Sequence, residues 1–194
     1  IKGLPLDTFD KIIMVKLEKY LTGDVKQEIQ NNTKHFDNFE LVVLQEDTNS
    51  ASDTISQTIK KVGIEGEIYI KDADDYFDVN ELNPNQVCVF SLNDTKNITP
   101  GNKSYVKKTD NNQILNIVEK KVISSDFCCG LYSFESAEDF VNTFKKIQMV
   151  GEVYISHVIY QMLLDGKQFY SNQVSNFIDW GTQDDWNKYI DETK

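Results

Sequence analysis

The sequence contains no arginine, so lysine supplies all twenty of its permanently basic side chains. A lysine ammonium is a point charge and cannot make the bidentate contact that a guanidinium makes with phosphate. These residues therefore offer no guanidinium clamp for a phosphate group. That absence counts against a complete phosphoryl-transfer site built from this chain alone.

Cysteine is also scarce. The three that occur, Cys88, Cys128 and Cys129, have the spacing of neither a disulfide framework nor a metal site. We expect them to be buried as small apolar side chains in a reducing compartment. Apolar runs of membrane-spanning length and a signal-peptide pattern are missing too. We therefore predict a cytoplasmic protein without a membrane span.

The charge balance is strongly acidic, with a formal net charge of -11. General binding to nucleic acid requires a surplus of lysine and arginine that releases counterions, so nucleic acid is not an expected partner. The 194 residues, of which 40% are hydrophobic, suit one domain with a sizeable core. We predict a single α/β domain over residues 1–194.

Strand-like apolar runs alternate with helical patterns in the first half of the chain. We predict strands at 10–17, 39–44, 68–70 and 87–90, and helices at 21–36 and 52–62, the first behind a Thr22 cap. Strands separated by helices form βαβ units, which predicts a mainly parallel sheet.

The second half has a different pattern. A turn at 110–112 predicts a hairpin between 104–106 and 114–118, and residues 125–134 read as a further strand. Helices are predicted from 135 and over 153–164, the latter closed by Gly166. A strand over 169–178 and a helix from 184 complete the chain.

Acidic residues follow two of the predicted strands. Asp72, Asp74 and Asp75 come directly after the strand at 67–70, and Asp179 follows the strand at 169–178. In α/β enzymes, carboxylates at the C-terminal ends of strands hold Mg²⁺ against a phosphate. A solvated acidic turn is the alternative. Clustered like charges repel unless a cation relieves them, which favours the metal site.

The order of these motifs resembles that of the sugar-nucleotide pyrophosphorylases, a nucleotidyltransferase family that includes the glucose-1-phosphate thymidylyltransferases. Glu119-Lys120, followed by Cys129-Gly130-Leu131-Tyr132-Ser133-Phe134, is similar to the family's Glu-Lys pair and Gly-x-Tyr-x-Phe strand. Gly151-Glu152 and Asp179-Trp180-Gly181-Thr182 are similar to its Gly-Glu helix and Asp-x-Gly-Thr turn. The resemblance covers residues 10–189. Within the family, the Asp-Trp-Gly-Thr form looks most like the group found in bacterial capsule and surface-polysaccharide gene clusters.

The resemblance implies a three-layer, Rossmann-like nucleotide-diphospho-sugar transferase fold and a magnesium site. Asp74 and Asp179 match the two metal ligands and are the implied catalytic carboxylates, and Asp72 is the alternative to Asp74 and a nucleotide contact. The cation would bridge the α-phosphate and the sugar phosphate and neutralise charge as pyrophosphate leaves.

The nucleobase region is implied at the end of the second strand. Gln45 matches the residue that reads a pyrimidine, and Ser50 and Ala51 lie where the family has a Gly-rich turn against the base. Ser50 departs from that glycine. A polar loop without base contacts therefore remains open.

The acceptor region is implied farther along. Glu119, Lys120, Gly130 and Glu152 match positions near the sugar and its phosphate, with Lys120 as a catalytic point charge and the glutamates as hydroxyl acceptors. Solvated surface charge is the alternative for each charged residue. His157 has no nucleophile to pair with in the sequence, and we expect it to pack.

The resemblance implies a transfer of nucleoside monophosphate from a nucleoside triphosphate to a sugar 1-phosphate or a similar acceptor, in a protein that could be a homo-oligomer. The family begins with a strand and a Gly-rich loop that ends in arginine, and no such segment occurs here. We therefore expect that the natural protein starts before Ile1 and that the chain as given binds triphosphate weakly. A metal-dependent glycosyltransferase with Asp72-Ala73-Asp74 as its metal motif, and a non-catalytic subunit, remain alternatives.

Overall fold

The computed structural model describes residues 3–95 and 98–192. The expectation that the natural protein starts before Ile1 concerns a part of the chain that lies outside these residues. This part contains ten strands and five α-helices. The strands are β1 (Ile12–Leu17), β2 (Phe39–Leu44), β3 (Ile68–Lys71), β4 (Asp75–Asp78), β5 (Gln86–Ser91), β6 (Tyr105–Lys108), β7 (Ile114–Val118), β8 (Asp126–Phe134), β9 (Tyr170–Gln173) and β10 (Ser175–Asp179). The helices are α1 (Gly23–Thr33), α2 (Ala51–Val62), α3 (Ala137–Lys146), α4 (Ile155–Leu164) and α5 (Gln183–Glu192).

Capping side chains explain where three of the helices begin. Thr22, Ser50 and Ser136 precede α1, α2 and α3, and each accepts a hydrogen bond from the backbone N–H three residues later. Such a bond satisfies one of the N–H groups that a helix start leaves without a partner. α2 ends at Gly63, whose φ of 71° lies in the left-handed region that favours glycine. The predicted Thr22 cap and the predicted helix after residue 135 are confirmed.

The strands form three sheets. β1 and β2 make a parallel pair, and β4 and β10 make an antiparallel pair. The largest sheet has the order β7-β6-β8-β5-β9, and β3 pairs with the C-terminal half of β8. The nine-residue β8 therefore lies at the centre of this sheet, and residues 131–134 face β3 on one side while residues 126–132 face β5 on the other.

The α/β class is confirmed, but the prediction of a mainly parallel sheet is wrong. Only β1–β2 and β5–β9 pair in parallel within the described residues, whereas β3, β5 and β6 all run antiparallel to β8. The alternation of strands with helices ends at β3, because the described residues between β3 and β8 contain no α-helix. These three partners of β8 are not its neighbours along the chain, so tertiary pairing rather than a local connection sets their direction.

Two strand predictions also need correction at the acidic segments. The residues read as an acidic turn after 70 include a strand, β4, which begins at Asp75. The predicted strand over 169–178 is divided at Val174 into β9 and β10, which join different sheets. Both errors arise because pairing with a distant strand, rather than local hydrophobic pattern, makes these short polar segments extended.

Alternate side chains of β8 enter two apolar clusters on opposite faces of the central sheet, as the period of a strand requires. Cys128, Tyr132 and Phe134 pack with residues of α2, α3 and α4. Phe127, Cys129 and Leu131 pack instead with residues of β4 and with Phe177 and Val174 at β10. Helices therefore cover one face and the β4–β10 pair covers the other, which gives three layers.

All three cysteines are buried and unpaired, as predicted. Across residues 3–95 and 98–192, no helix combines the length and apolar character needed to cross a membrane.

We expect the backbone amides of β1 and β2 to exchange hydrogen with solvent faster than those of β5 and β8. Every residue of β1 is only partly buried, and β1 pairs with β2 alone among the described strands. Val87 and Val89 of β5, by contrast, are 0% exposed and lie between two neighbouring strands. Local opening is easiest where few apolar contacts oppose it. Hydrogen exchange followed by mass spectrometry measures this directly, and equal protection of the two regions would contradict it.

Candidate active site

The candidate active site lies where β4 begins and β10 ends. Asp179, the last residue of β10, pairs with Asp75, the first residue of β4. The next residue, Trp180, donates its backbone N–H to the carbonyl oxygen of Asp74 at 2.8 Å. The antiparallel pair therefore brings the two predicted acidic segments, which are far apart in the sequence, to the same edge of the molecule.

Gly181 marks the point on which Asp74 and Asp179 converge. A Cβ atom built on this glycine would lie 3.1 Å from Asp179 Oδ1 and 3.4 Å from Asp74 Oδ2. The backbone N–H of Gly181 also donates to Asp179 Oδ1 at 3.0 Å. Two carboxylate oxygens from different segments thus face one small space that a larger side chain would fill.

Asp72 and Asp75 converge on a second glycine, Gly130 of β8. A Cβ atom there would lie 2.5 Å from Asp75 Oδ2 and 2.8 Å from Asp72 Oδ2, and the φ of Gly130 is +77°. Glycine is therefore required both by the backbone conformation and by the space that the two carboxylates occupy. Gly130 thus makes room for two carboxylates, and its contact with substrate stays a prediction.

Lys71 organises the turn between β3 and β4. Its ammonium group donates to the carbonyl oxygen of Asp72 at 2.7 Å and forms an ion pair with the carboxylate of Asp75. The Asp75 side chain in this pair is only 5% exposed. Because a buried carboxylate needs a compensating partner, Lys71 is the residue that allows Asp75 to lie inside the protein.

The cluster is electrostatically strained. Burial, helped by the charge of Asp74, raises the pKa of Asp72 to about 6, although Lys71 and Lys103 oppose the shift. Burial also raises the pKa of Asp75 to about 7 against the effect of Lys71. A positive charge beside Asp72 and Asp75 therefore favours their ionised forms at neutral pH.

Lys103 is a functional candidate that sequence reasoning missed. It follows a short 3-10 turn (Pro100–Asn102), and its ammonium group lies 2.7 Å from Asp179 Oδ2. It also lies 5.7 Å from the centre of the Phe177 ring. A lysine after a Pro-Gly turn has no local signal of function, since only the fold brings it to Asp179.

Glu119 and Lys120 form a second polar cluster near the start of α4. Glu119 Oε2 accepts hydrogen bonds from the hydroxyls of Ser104 and Ser156. Lys120 donates to the hydroxyl of Tyr154 and lies 4.3 Å from the centre of its ring. Glu119 also contributes to the raised pKa of Asp72, so the two clusters are electrostatically connected.

Glu152 and His157 lie beside this second cluster. Glu152 is exposed in the loop before α4 and is one of the charges that raise the pKa of Lys120, after the larger effect of the hydrogen bond to Tyr154. His157 Nδ1 accepts the backbone N–H of Tyr154 at 3.1 Å, and burial lowers the His157 pKa. His157 thus caps α4, which agrees with the expectation that it packs.

The predicted base-contacting residues lie on the β1–β2 side of the molecule. Gln45 follows β2 and is exposed, and Ala51 is the exposed first residue of α2. The hydroxyl of Ser50 is used as the α2 cap, where it accepts from the N–H of Asp53 at 3.1 Å. No contact joins these residues to the acidic cluster among the hydrogen bonds and ion pairs that the structure describes.

Oxygen ligands from Asp74 and Asp179 fit Mg²⁺, which binds through one or two carboxylates and completes its shell with water and phosphate oxygens. No group of three or more acidic, histidine or cysteine side chains within 3–95 and 98–192 is placed to hold a metal ion by itself. The site therefore suits a cation that is shared with a phosphorylated ligand rather than one enclosed by the protein.

We expect the substitution Asp72→Asn to stabilise the protein at pH 8 and to have little effect near pH 4. The folded-state pKa of Asp72 is raised, so the folded protein holds this proton more tightly than the unfolded chain does. Ionisation of Asp72 therefore destabilises the fold progressively between about pH 4 and about pH 6, and the full effect persists above that range. The free energy of unfolding at pH 8 should rise by on the order of 2 kcal/mol.

Urea unfolding at both pH values measures this difference. Asp110→Asn, which removes an exposed carboxylate in the turn between β6 and β7, is the matched control and should change stability little. A less stable Asp72→Asn protein at pH 8 would contradict the prediction.

The sequence matches no protein-family model, and no curated protein is significantly similar to it. Among solved structures, the nucleoside-diphosphate-sugar pyrophosphorylase from Vibrio cholerae superposes with a TM-score of 0.76 at 18% identity, over 92% of this chain and 80% of that one.

Two further structures have the same likeness. The inositol-1-phosphate CTP transferase from T. maritima has a TM-score of 0.73 at 14% identity, over 94% of this chain and 75% of that one. The CTP:phosphocholine cytidylyltransferase from Streptococcus pneumoniae has a TM-score of 0.66 at 15% identity, over 95% of this chain and 79% of that one. The chain therefore has the mixed α/β, Rossmann-like fold of the sugar-nucleotide pyrophosphorylases and related nucleotidyltransferases, as its motifs predict.

Proposed function

We propose that the protein is a nucleotidyltransferase, which transfers a nucleoside monophosphate from a nucleoside triphosphate to a sugar 1-phosphate or a similar phosphorylated acceptor. An oxygen of the acceptor phosphate attacks the α-phosphorus, a new P–O bond forms, and the bond to pyrophosphate breaks with its electron pair on the leaving group. The convergence of Asp74 and Asp179 on Gly181 is the observation that carries this proposal. Pyrimidine triphosphates and a role in bacterial surface-polysaccharide synthesis are the finer parts of it, supported by the motif resemblance.

Asp74 and Asp179 would hold Mg²⁺ in this proposal. When bound, the ion would neutralise phosphate charge as it develops on the leaving group. The carboxylates need no further chemical role, because phosphoryl transfer proceeds by positioning and charge stabilisation without a protein nucleophile.

Lys120 is suited to hold the acceptor phosphate. Its side chain is oriented by the hydroxyl of Tyr154, and its φ of 52° shows that the backbone turns sharply at this residue. The Lys120 ammonium is exposed and interacts electrostatically with the exposed Glu152, so the two residues together suit a phosphate and a neighbouring hydroxyl. Glu119 supports this arrangement through Ser104 and Ser156, which connect β6 with α4.

The positions of Asp72 and Asp74 favour this activity over a glycosyltransferase that holds its metal with Asp72-Ala73-Asp74. The Asp72 carboxylate faces Gly130, whereas the Asp74 carboxylate faces Gly181 and Asp179. The Asp74 carboxylate therefore lies beside that of Asp179, and the Asp72 carboxylate lies beside that of Asp75, although the charges of Asp72 and Asp74 still interact. A non-catalytic subunit would need no convergent pair of carboxylates, so activity measurements on the natural protein distinguish that alternative.

We expect the natural protein to release pyrophosphate from UTP, CTP or dTTP when Mg²⁺ and a phosphorylated acceptor are present. The substitution Asp74→Asn should lower the rate by about two to four orders of magnitude, because a lost metal ligand removes transition-state stabilisation. Asp110→Asn, far along the β6–β7 hairpin, is the control with the same charge change. An Asp74→Asn protein that keeps its full rate would overturn the metal role, and no pyrophosphate release with any acceptor would favour the non-catalytic alternative.

We further expect Lys120→Gln to raise the KM for the acceptor by about tenfold or more while the KM for the triphosphate changes little. The reason is that loss of a charged phosphate contact costs about 1.5 to 3 kcal/mol at that contact only. The neighbouring Lys121→Gln, which removes an exposed lysine, is the matched control. Equal increases in both KM values would contradict an acceptor-specific role.

A further inference from the structure

Lys103 contacts the carboxylate on which the proposed cation site depends. Its ammonium group lies 2.7 Å from Asp179 Oδ2, and the two side chains are only 19% and 12% exposed. The other oxygen, Asp179 Oδ1, faces Gly181 and the side of Asp74. Lys103 and a cation held by Asp74 and Asp179 would therefore bind the two oxygens of one carboxylate.

In this arrangement the bound cation and the Lys103 ammonium group would lie close together and repel each other. A divalent cation at Asp179 Oδ1 would lie within a few ångströms of the Lys103 ammonium, and the low exposure of the pair keeps solvent screening weak. The Lys103 side chain is mostly buried and its ammonium group lies 5.7 Å from the centre of the Phe177 ring, which limits the room it has to turn away. The pair of carboxylates should consequently bind a free divalent cation poorly.

The negative charge on an incoming nucleotide offsets the repulsion between the cation and the Lys103 ammonium. A triphosphate that arrives with the cation brings several negative charges, which attract both the cation and the lysine. The favourable effect of each ligand on the other is a coupling free energy, and it is reciprocal. With Lys103 in place, the nucleotide raises the affinity for the cation by a larger factor than it would at a site made of carboxylates alone.

We propose, on the basis of the proposed function, that Lys103 couples cation binding to nucleotide binding by occupying Asp179 Oδ2 and disfavouring the cation in the absence of phosphate. Lys103 is a positioning residue in this scheme, since it acts through Asp179 and through charge. With Lys103 present, the cation binds tightly only when it arrives together with the nucleotide.

The test measures Mn²⁺ binding to the natural protein by electron paramagnetic resonance, with and without UTP or CTP and without acceptor. Lys103→Gln removes the charge but keeps a donor for Asp179, and Lys103→Met removes the charge but keeps the apolar stem against Phe177. For either variant that retains the wild-type near-UV circular dichroism, we expect Mn²⁺ alone to bind about tenfold more tightly. The factor by which nucleotide tightens Mn²⁺ binding should fall by a similar amount.

Two controls make the result specific. Lys103→Arg keeps the charge and should retain the weak binding of Mn²⁺ alone. Lys108→Gln removes a lysine of similar burial that pairs with Asp126 at 3.0 Å, outside the candidate site, and should leave the coupling unchanged.

The outcomes separate this inference from the proposed function. If Asp74→Asn abolishes Mn²⁺ binding but the charge-free Lys103 variants show the wild-type coupling factor, the inference on Lys103 is wrong and the metal site stands. Weaker binding of Mn²⁺ alone in those variants would show a purely structural role and would also overturn the inference. If Asp74→Asn leaves Mn²⁺ binding unchanged, the metal site itself is wrong and both proposals fail.

Discussion

The antiparallel pairing of β4 with β10 is the constraint on which the candidate site depends. It aligns Asp75 with Asp179 and lets the backbone of Trp180 bond to that of Asp74, so two acidic segments about a hundred residues apart in the chain become neighbours. The same pair covers one face of the central sheet through Phe77 and Phe177. The packing that closes the core therefore also assembles the carboxylates.

Concentrating carboxylates in this way requires compensation, and the chain supplies it with lysines and glycines. Lys71 and Lys103 pair with Asp75 and Asp179, respectively, and both ion pairs are largely shielded from solvent. Gly130 and Gly181 provide space, because a side chain at either position would press against carboxylate oxygens. A protein without arginine thus balances its acidic cluster with point charges, which leave oxygens such as Asp179 Oδ1 available to a ligand.

The two polar clusters divide the work that nucleotide transfer would require. The acidic cluster offers oxygen ligands to a cation and its phosphates, whereas Lys120, Tyr154 and Glu152 offer donors and acceptors to an acceptor molecule. Residues 103 and 104 join the clusters, since Lys103 bonds to Asp179 while the adjacent Ser104 bonds to Glu119. The two residues that precede β6 therefore connect the two halves of the proposed site.

Local sequence determined most of the helices and strands. The apolar runs at β1, β2 and β8 and the caps at Thr22 and Ser136 act through neighbours in the chain, so their pattern is readable without a structure. The order of motifs likewise pointed to Asp74 and Asp179, whose role as metal ligands stays a prediction. Tertiary structure decided what depends on distant partners: the antiparallel direction of β8, the extended form of β4, the pairing of Lys103 with Asp179, and the placement of Asp72 beside Gly130 and of Asp74 beside Gly181. Backbone pairing and charge compensation between segments far apart in sequence leave no periodic trace in either segment, and only the folded chain brings them together.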